Sequence, residues 1–217
     1  MQDLSLPDSP SAPSDPAAAF EIVAAALVDS GWGVFTGLVP ELLVRRLAEA
    51  ARNLESYRAA GVGRNTDNQL NHFVRRDRIV WIDGSDPAGR DWLHWSEGLR
   101  AHLNRTLMLG LSSFESHFAC YPPGAFYRRH LDAFRGEANR VVSVVCYLNE
   151  AWMPGDGGEL VLYDETGREL GRFPPAAGTL AVYLSEQFPH EVLPTRADRY
   201  SLAGWFRRRS ELPLANV

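Results

Sequence analysis

The chain has 217 residues, which is long enough for one domain with a full hydrophobic core. Hydrophobic residues make up 45% and charged residues 23%, the composition of an ordinary globular protein and not of a disordered or fibrous one. The formal net charge is −5 and no long basic run occurs, so we expect no binding to nucleic acid. Lysine is absent, which excludes Schiff-base catalysis and the lysine of a phosphate-binding P-loop.

The cysteine content and the amino-terminal segment indicate the compartment and the domain organisation. The two cysteines, Cys120 and Cys146, have no CxxC spacing and predict neither a disulfide scaffold nor a cysteine zinc site. There is no apolar run of membrane-spanning length and no signal-peptide pattern, so we expect a cytoplasmic protein that binds no membrane. Residues 1–14 are rich in Ser, Pro and Asp and predict a disordered tail, which leaves 15–217 as a single domain.

Three helices are predicted in residues 15–109, the helical support of this domain. Two of them begin with an Asp-Pro pair, a helix start signal, and span about 16–29 and 87–107. The WGVF segment after the first helix predicts a short buried strand. The remaining helix begins at Pro40 and continues through PELLVRRLAEAARNLESYR. Its apolar stripe is predicted at Leu42, Leu43, Leu47 and Ala50.

The segment from 61 to 76 is glycine-containing, polar and without period, which predicts a long loop of the kind that often carries function. The following segment DRIVWID predicts a strand. From residue 110 to 208 the sequence changes to short β-rich segments separated by turn residues. These are SSFESHFACY, FYRRHLD, RVVSVVCYLNE, GELVLYD, GTLAVYL, HEVLP and RYSLAGWFRR. The pattern favours an α+β fold: a jelly-roll core with the amino-terminal helices on the outer face of one sheet.

Metal-ligating side chains lie in the β-rich half. His130 and Asp132 are at i and i+2, which on a strand places both on one face, and His190 follows 58 residues after Asp132. Two imidazoles and one carboxylate form the facial triad of non-haem Fe(II) oxygenases. The alternative is that the first two residues are a hydrogen-bonded surface pair, because an HxD sequence on a strand is common.

A possible carboxylate-binding residue follows the second histidine. Arg199 shares one face of its predicted strand with Ser201, Ala203 and Trp205. A guanidinium in this position can form two parallel hydrogen bonds to a carboxylate. It is the order of HxD, distal His and then Arg with aromatic neighbours that favours one joint site over separate surface residues.

With this ordered motif, the sequence resembles the Fe(II)- and 2-oxoglutarate-dependent prolyl hydroxylases, specifically the hypoxia-inducible-factor type and its bacterial relatives. The segments that carry the resemblance are ACYPPGAFYRRHLD, VVCYLNEAW, GGELVLY and FPHEVLPTRADRYSLAGWF, preceded by RDRIVWIDG. The resemblance implies that His130, Asp132 and His190 ligate Fe(II). It also implies that Arg199 pairs with the distal carboxylate of the cosubstrate 2-oxoglutarate.

The resemblance assigns roles to further residues. Tyr147 would help bind the distal carboxylate, Tyr121 would line the cosubstrate pocket and Trp205 would lie near the iron. The loop at 61–76 would fold over a peptide substrate, with a salt bridge between Asp77 and Arg140 beneath it. Because the acidic ligand is present, the resemblance favours hydroxylation over halogenation.

The function implied is hydroxylation of a prolyl residue in a protein, with dioxygen consumed and succinate and CO2 released. Elongation factor Tu is the protein substrate suggested by the bacterial branch of the family. Ascorbate as an additional reductant and a role in oxygen sensing are also suggested by the resemblance. Two alternatives stay open, a hydroxylase of a free amino acid or small metabolite on the same core and a non-catalytic jelly-roll sensor module.

Overall fold

The structure is a computed structural model, which describes residues 15–60, 74–133 and 139–209. The predicted tail at 1–14 and most of the predicted loop at 61–76 lie outside the described residues. Within these described ranges, three helices and eleven strands form a helical layer against two antiparallel sheets. Among the described residues, no helix is long and apolar enough to cross a membrane.

The helices are α1 (Pro16–Asp29), α2 (Glu41–Asn53) and α3 (Pro87–Leu107). The predicted start signals are confirmed, since Asp15 accepts a hydrogen bond from the Ala17 amide (2.9 Å) and Asp86 accepts one from the Gly89 amide (2.7 Å). Each carboxylate thus satisfies one of the amides that a helix leaves unpaired in its first turn. Both predicted spans, 16–29 and 87–107, agree with the structure.

The prediction for α2 is wrong in its length and at Leu42, whereas Leu47 is in the core and Leu43 and Ala50 pack against it. The helix ends at Asn53, and its core-facing residues are Val44, Leu47, Ala48 and Ala51, while Leu42 is 71% exposed. The spacing of 3, 4 and 7 residues between these positions is the repeat of one helical face. Leu42 was wrongly assigned to the core, because an exposed leucine is not unusual on a protein surface.

The eleven strands form one large and one small sheet. The major sheet has the order β1-β9-β6-β11-β4-β3-β2 and the minor sheet β5-β10-β7-β8, which is the two-sheet jelly roll predicted from sequence. In chain order the strands are β1 (Trp32–Thr36), β2 (Arg58–Ala59), β3 (Arg78–Trp81), β4 (Leu111–Tyr121), β5 (Tyr127–His130), β6 (Arg140–Tyr147), β7 (Leu160–Tyr163), β8 (Glu169–Phe173), β9 (Thr179–Leu184), β10 (His190–Val192) and β11 (Arg199–Arg208).

Two strands are absent from the sequence prediction, β2 and β8. The strand β2 has only two residues, and β8 (ELGRF) alternates polar and apolar residues around a glycine at the open edge of the minor sheet. The strands β1, β2 and β3 come from the amino-terminal half and extend the major sheet. That half therefore supplies strands as well as helices.

The two faces of the major sheet have different neighbours. One face packs against the helices, and Trp92 and Leu99 of α3 are fully buried there together with Leu202 and Phe206 of β11. The opposite face looks toward the minor sheet. On β11 the period of two places Leu202 and Phe206 on the helical side and Arg199, Ser201, Ala203 and Trp205 on the inner side. The helices therefore hold the sheet that positions the inner residues.

Candidate active site

A cavity of about 370 Å³ lies between the two sheets. Its wall combines polar and aromatic side chains from both sheets, and all but one of the candidate site residues from the sequence are among them. The lining includes Tyr121, His130, Asp132, His190, Arg199 and Trp205. The remaining candidate, Tyr147, contacts this group through Arg199, whose Cζ is 5.1 Å from the Tyr147 ring centre.

The three potential metal ligands meet in this cavity. His130 is the last residue of β5 and is paired in register with His190, the first residue of β10. Asp132 Oδ1 is 3.7 Å from His130 Nε2, and its Oδ2 is 3.6 Å from His190 Nε2. One potential ligand atom from each residue lies within 4.8 Å of the other two. One detail of the prediction is wrong, because β5 ends at His130 and Asp132 reaches the site from the turn beyond it.

Both imidazoles are held with the same nitrogen toward the cavity. His130 Nδ1 is 2.8 Å from the carbonyl oxygen of Arg128, and His190 Nδ1 is 3.0 Å from that of Phe188. A carbonyl oxygen only accepts, so each Nδ1 carries the proton and donates it. Nε2 therefore faces Asp132 in both residues, the orientation in which a histidine ligates a metal ion through this nitrogen.

The charge states of the triad suit a divalent cation. Burial lowers the pKa of His190 to about 4, which the attraction of Asp132 only partly offsets, so this imidazole is neutral at pH 7. Burial by itself would raise the pKa of Asp132, but His190, His130 and a hydrogen bond from Ser143 outweigh it and hold the pKa well below its ordinary value. A buried carboxylate beside two imidazole nitrogens is a donor set that fits Fe(II).

Arg199 is placed to receive an anion. Its side chain is buried, its Nε donates to the Gly158 carbonyl oxygen (2.8 Å) and its Nη1 donates to Ser201 Oγ (3.2 Å). Gly158 has a φ of +68°, and a Cβ there would lie 3.0 Å from Arg199 Cδ, so the close approach requires glycine. Among the described residues no carboxylate forms an ion pair with this guanidinium. A buried charge without a counterion is costly, which favours a carboxylate-bearing ligand beside it.

Two tyrosines flank the guanidinium. Tyr121 and Tyr147 are buried, with ring centres 4.7 Å and 5.1 Å from Arg199 Cζ. The Tyr147 hydroxyl is buried and has no hydrogen-bond partner within the described part of the chain. Burial raises the pKa of Tyr147 to about 12, so its hydroxyl keeps its proton and can donate. The phenol has no acceptor and the guanidinium has no carboxylate partner among the described residues, so the two together form a suitable site for a carboxylate.

The salt bridge expected between Asp77 and Arg140 is wrong. Asp77 is paired instead with Arg75, through two hydrogen bonds of 2.7 Å and 2.5 Å. Arg140 donates to Glu115 (2.8 Å) and lies 3.7 Å above the Trp205 ring. The strand register explains this pairing. Arg140 is opposite Arg207, which pairs with Ser113 of β4 close to Glu115. Arg78, the neighbour of Asp77, pairs with Cys120 at the other end of β4.

Sequence reasoning missed two hydroxyl groups at the triad. Ser143 Oγ donates to Asp132 Oδ2 (2.7 Å), and the Tyr183 hydroxyl is 3.4 Å from the same oxygen and 3.1 Å from His190 Nε2. Strand parity could have indicated Ser143, because it precedes Tyr147 by four residues on β6 and so faces the same side. For Tyr183 the pairing of β9 with β6 was needed as well.

The segment that builds this site matches the family model of the 2OG-Fe(II) oxygenase superfamily over residues 116–207. The match contains the three triad residues and Arg199. Fold and site together define a 2OG-Fe(II) oxygenase, and Fe(II) and 2-oxoglutarate, the two cofactors predicted from sequence, are those of the superfamily.

The chain is also similar in sequence to individual proteins of this superfamily. The chain is 30% identical to human Egl nine homolog 1 over 174 residues, and 31% identical to the hypoxia-inducible factor prolyl hydroxylase of Caenorhabditis elegans over 157 residues. These matches cover 71% and 64% of the chain but only 40% and 20% of the two relatives. The chain therefore spans less than half the length of these curated relatives.

Two solved structures match along most of their length. A prolyl-4-hydroxylase of Pseudomonas putida is 44% identical with a TM-score of 0.79, covering 88% of this chain and 99% of that one. A prolyl hydroxylase of Trichoplax adhaerens, solved with a hypoxia-inducible factor peptide, is 25% identical with the same TM-score of 0.79, covering 93% and 94%. The chain belongs to the prolyl hydroxylase family of the 2OG-Fe(II) oxygenases, as the sequence resemblance predicts.

Proposed function

We propose that this protein is an Fe(II)- and 2-oxoglutarate-dependent dioxygenase that hydroxylates a prolyl residue in a protein substrate. One observation supports the proposal above the others: a triad of two imidazoles and a carboxylate shares a single cavity with a buried arginine that has no carboxylate partner among the described residues. The triad is a site for a metal and the arginine a site for an anion, so the cavity suits a ligand that engages both.

In this proposal Fe(II) is ligated by His130 Nε2, His190 Nε2 and a carboxylate oxygen of Asp132. When bound, the iron would use dioxygen to convert 2-oxoglutarate to succinate and CO2 and insert the second oxygen atom into a substrate C–H bond. The part of the protein is to hold both imidazoles in one tautomer and to keep the carboxylate ionised. Three protein ligands leave the remaining coordination positions for cosubstrate and dioxygen.

The distal carboxylate of 2-oxoglutarate is assigned to Arg199. The guanidinium already has two of its donors on Gly158 and Ser201, which fixes the plane in which its other donors point. Tyr147 adds a hydroxyl donor, and the Tyr121 ring closes the side of the pocket. Because these groups are buried, water competes weakly for them, which strengthens each hydrogen bond to an anion.

The wall of the cavity away from Arg199 supports a protein substrate. Trp205 is on the inner face of β11, and Trp81, with a ring centre 6.4 Å from that of Trp205, is 51% exposed at the cavity wall. An aromatic surface that is open to solvent suits a prolyl ring on an extended peptide better than a fully enclosed metabolite. Both solved structures named above are of prolyl hydroxylases, and the Trichoplax adhaerens structure contains a hypoxia-inducible factor peptide.

We extend the proposal to the finer expectations from the sequence. Elongation factor Tu is the proposed protein substrate, ascorbate the proposed reductant that keeps the iron as Fe(II), and the cytoplasm the proposed location. A role in oxygen sensing follows if turnover varies with dioxygen over the cellular range. These expectations derive from the family resemblance.

The test is to incubate the purified protein with Fe(II), 2-oxoglutarate and elongation factor Tu, and to search the substrate for an added oxygen atom on proline by tandem mass spectrometry. We expect a single modified proline, with succinate formed in equal amount. The matched control is Arg199→Lys, which keeps the charge and removes the planar pair of donors. Hydroxylation of free proline but of no protein would favour the small-metabolite hydroxylase. Absence of succinate formation under every condition would favour the sensor module.

A further inference from the structure

Two hydroxyl groups of the major sheet converge on one oxygen of the acidic triad residue. Ser143 on β6 and Tyr183 on β9 are direct cross-strand neighbours in the antiparallel register. Both side chains point to the inner face of the sheet, where Asp132 approaches from the opposite side. Ser143 Oγ is 2.7 Å and the Tyr183 hydroxyl 3.4 Å from the same atom, Asp132 Oδ2.

The carboxylate fixes the direction of the Ser143 hydrogen bonds, which include one to a third hydroxyl, that of Ser185. Ser143 Oγ is also 2.8 Å from Ser185 Oγ, and both serines are fully buried. An ionised carboxylate only accepts hydrogen bonds, so Ser143 donates a hydrogen bond to Asp132 and accepts one from Ser185. Such a chain of hydroxyls polarises the last hydrogen bond and strengthens it. The Ser143 hydroxyl therefore donates its hydrogen bond to Asp132 Oδ2.

Tyr183 has two acceptors in reach, and metal binding would remove one of them. Its hydroxyl is 3.1 Å from His190 Nε2 and 3.4 Å from Asp132 Oδ2. Once Nε2 ligates a metal its lone pair is no longer available, and Oδ2 is the acceptor that remains for the phenol. Metal loading should then bring a second donor onto the oxygen that Ser143 already occupies.

We propose that Ser143 and Tyr183 are positioning residues that hold Oδ2 of Asp132 and so leave Oδ1 alone to ligate the metal. This inference rests on the proposed metal centre. With one carboxylate oxygen and two imidazole nitrogens as ligands, three of six octahedral positions stay open. Without the two hydroxyls, Oδ2 is a buried oxygen lacking donors, and the metal itself becomes its best partner. Asp132 then ligates through both oxygens, and one open position is lost.

The experiment counts the water molecules on bound Mn(II), using the metal alone as the probe. Each water bound to Mn(II) accelerates proton relaxation of the solvent, so relaxivity per bound ion reports the open positions. We expect the double variant Ser143→Ala/Tyr183→Phe to lose about one third of the relaxivity per bound ion, since three open positions become two. Ser143→Thr, which keeps the hydroxyl, should behave as the wild-type protein.

Tyr57→Phe is the matched control, because it removes a tyrosine hydroxyl that bonds only the Ala51 carbonyl oxygen, outside the cavity. Unchanged relaxivity in the double variant overturns the inference, and so does a Ser143→Thr protein that resembles Ser143→Ala. If the double variant fails to fold, Ser143→Ala alone decides in the same way, because Ser143 makes the shorter hydrogen bond. Failure of the wild-type protein to bind Mn(II) at all refutes the proposed metal centre instead.

Discussion

His117, a buried histidine outside the triad, predicts that the folded protein is sensitive to mild acid. The residue is on β4, is 3% exposed, and has its ring 5.1 Å from that of Trp81 and 5.5 Å from that of Trp205. Burial lowers its pKa from 6.5 to about 4, and the nearby guanidinium of Arg75 acts in the same direction. A proton on this ring is therefore far more favourable in the unfolded chain.

The sign and size of the effect follow from this difference in pKa. Below pH 6.5 the unfolded chain binds a proton that the folded protein does not bind until about pH 4, so stability falls as the pH falls through this interval. At pH 5 the cost is about 2 kcal/mol, from about 1.4 kcal/mol for each pH unit below the unfolded pKa. His190, with a pKa also lowered to about 4 by burial, adds a comparable loss in the metal-free protein.

The assay is urea unfolding of the metal-free protein at pH 7 and pH 5, in the wild type and in His117→Gln. We expect the wild type to lose about 4 kcal/mol between the two pH values and the variant about 2 kcal/mol. The control is the same substitution at a histidine that is exposed on α3, His94→Gln. A His117→Gln protein with the full wild-type loss would refute the reasoning, since the ring would then not be the group that resists protonation.

Three further predictions concern the triad, the anion site and the core. Asp132→Ala should lose Fe(II) binding in equilibrium dialysis while keeping the wild-type circular dichroism spectrum, because the carboxylate is the one anionic ligand of the triad. Arg199→Lys should weaken 2-oxoglutarate binding at least tenfold, by roughly 1.5–3 kcal/mol, in calorimetric titrations of the Mn(II)-loaded protein, with Mn(II) affinity unchanged. Leu99→Ala should cost about 3 kcal/mol in urea unfolding, because this side chain is fully buried, whereas exposed Leu42→Ala should cost below about 0.5 kcal/mol.

Local signals account for the elements that were predicted from the sequence. An Asp-Pro pair defines a helix start through interactions within one turn, so α1 and α3 follow from residues that are adjacent in the chain. The buried face of α2 depends on how the helix is rotated against α3 and the major sheet, which local periodicity does not fix. For this reason Leu42 was assigned to the core although it is 71% exposed.

The triad could be predicted because HxD, a distal histidine and then an arginine occur in that order, even though one geometric step was wrong. His130 and Asp132 were expected on a single strand, yet the strand ends at His130. The two residues still converge, because the turn that follows β5 returns toward the cavity and the two imidazoles face each other across the β5 and β10 pair. The prediction therefore depended on the residue types and on their order along the chain. It did not depend on whether Asp132 lies on the strand or in the turn after it.

Contacts across strands were beyond the reach of the sequence. The pairing of Arg140 with Glu115 depends on β4 and β6 being the two neighbours of β11, and no local pattern specifies that order. The meeting of Ser143 with Tyr183 likewise depends on the register of β6 with β9. A shift of one residue in either register would turn the side chain to the helical face.

Burial connects the stability of this protein with its proposed chemistry. The same desolvation that keeps His190 neutral, and so able to bind a metal at pH 7, makes the metal-free fold sensitive to acid. Burial also leaves Arg199 without a counterion among the described residues, an arrangement that costs folding free energy. A ligand that supplies a carboxylate therefore binds donors that are already oriented. Its charge offsets the unfavourable free energy of burying Arg199 without a counterion. The hydrophobic cluster around Trp92 and Leu99, between the helices and the outer face of the major sheet, supplies stabilising free energy that outweighs this unfavourable burial.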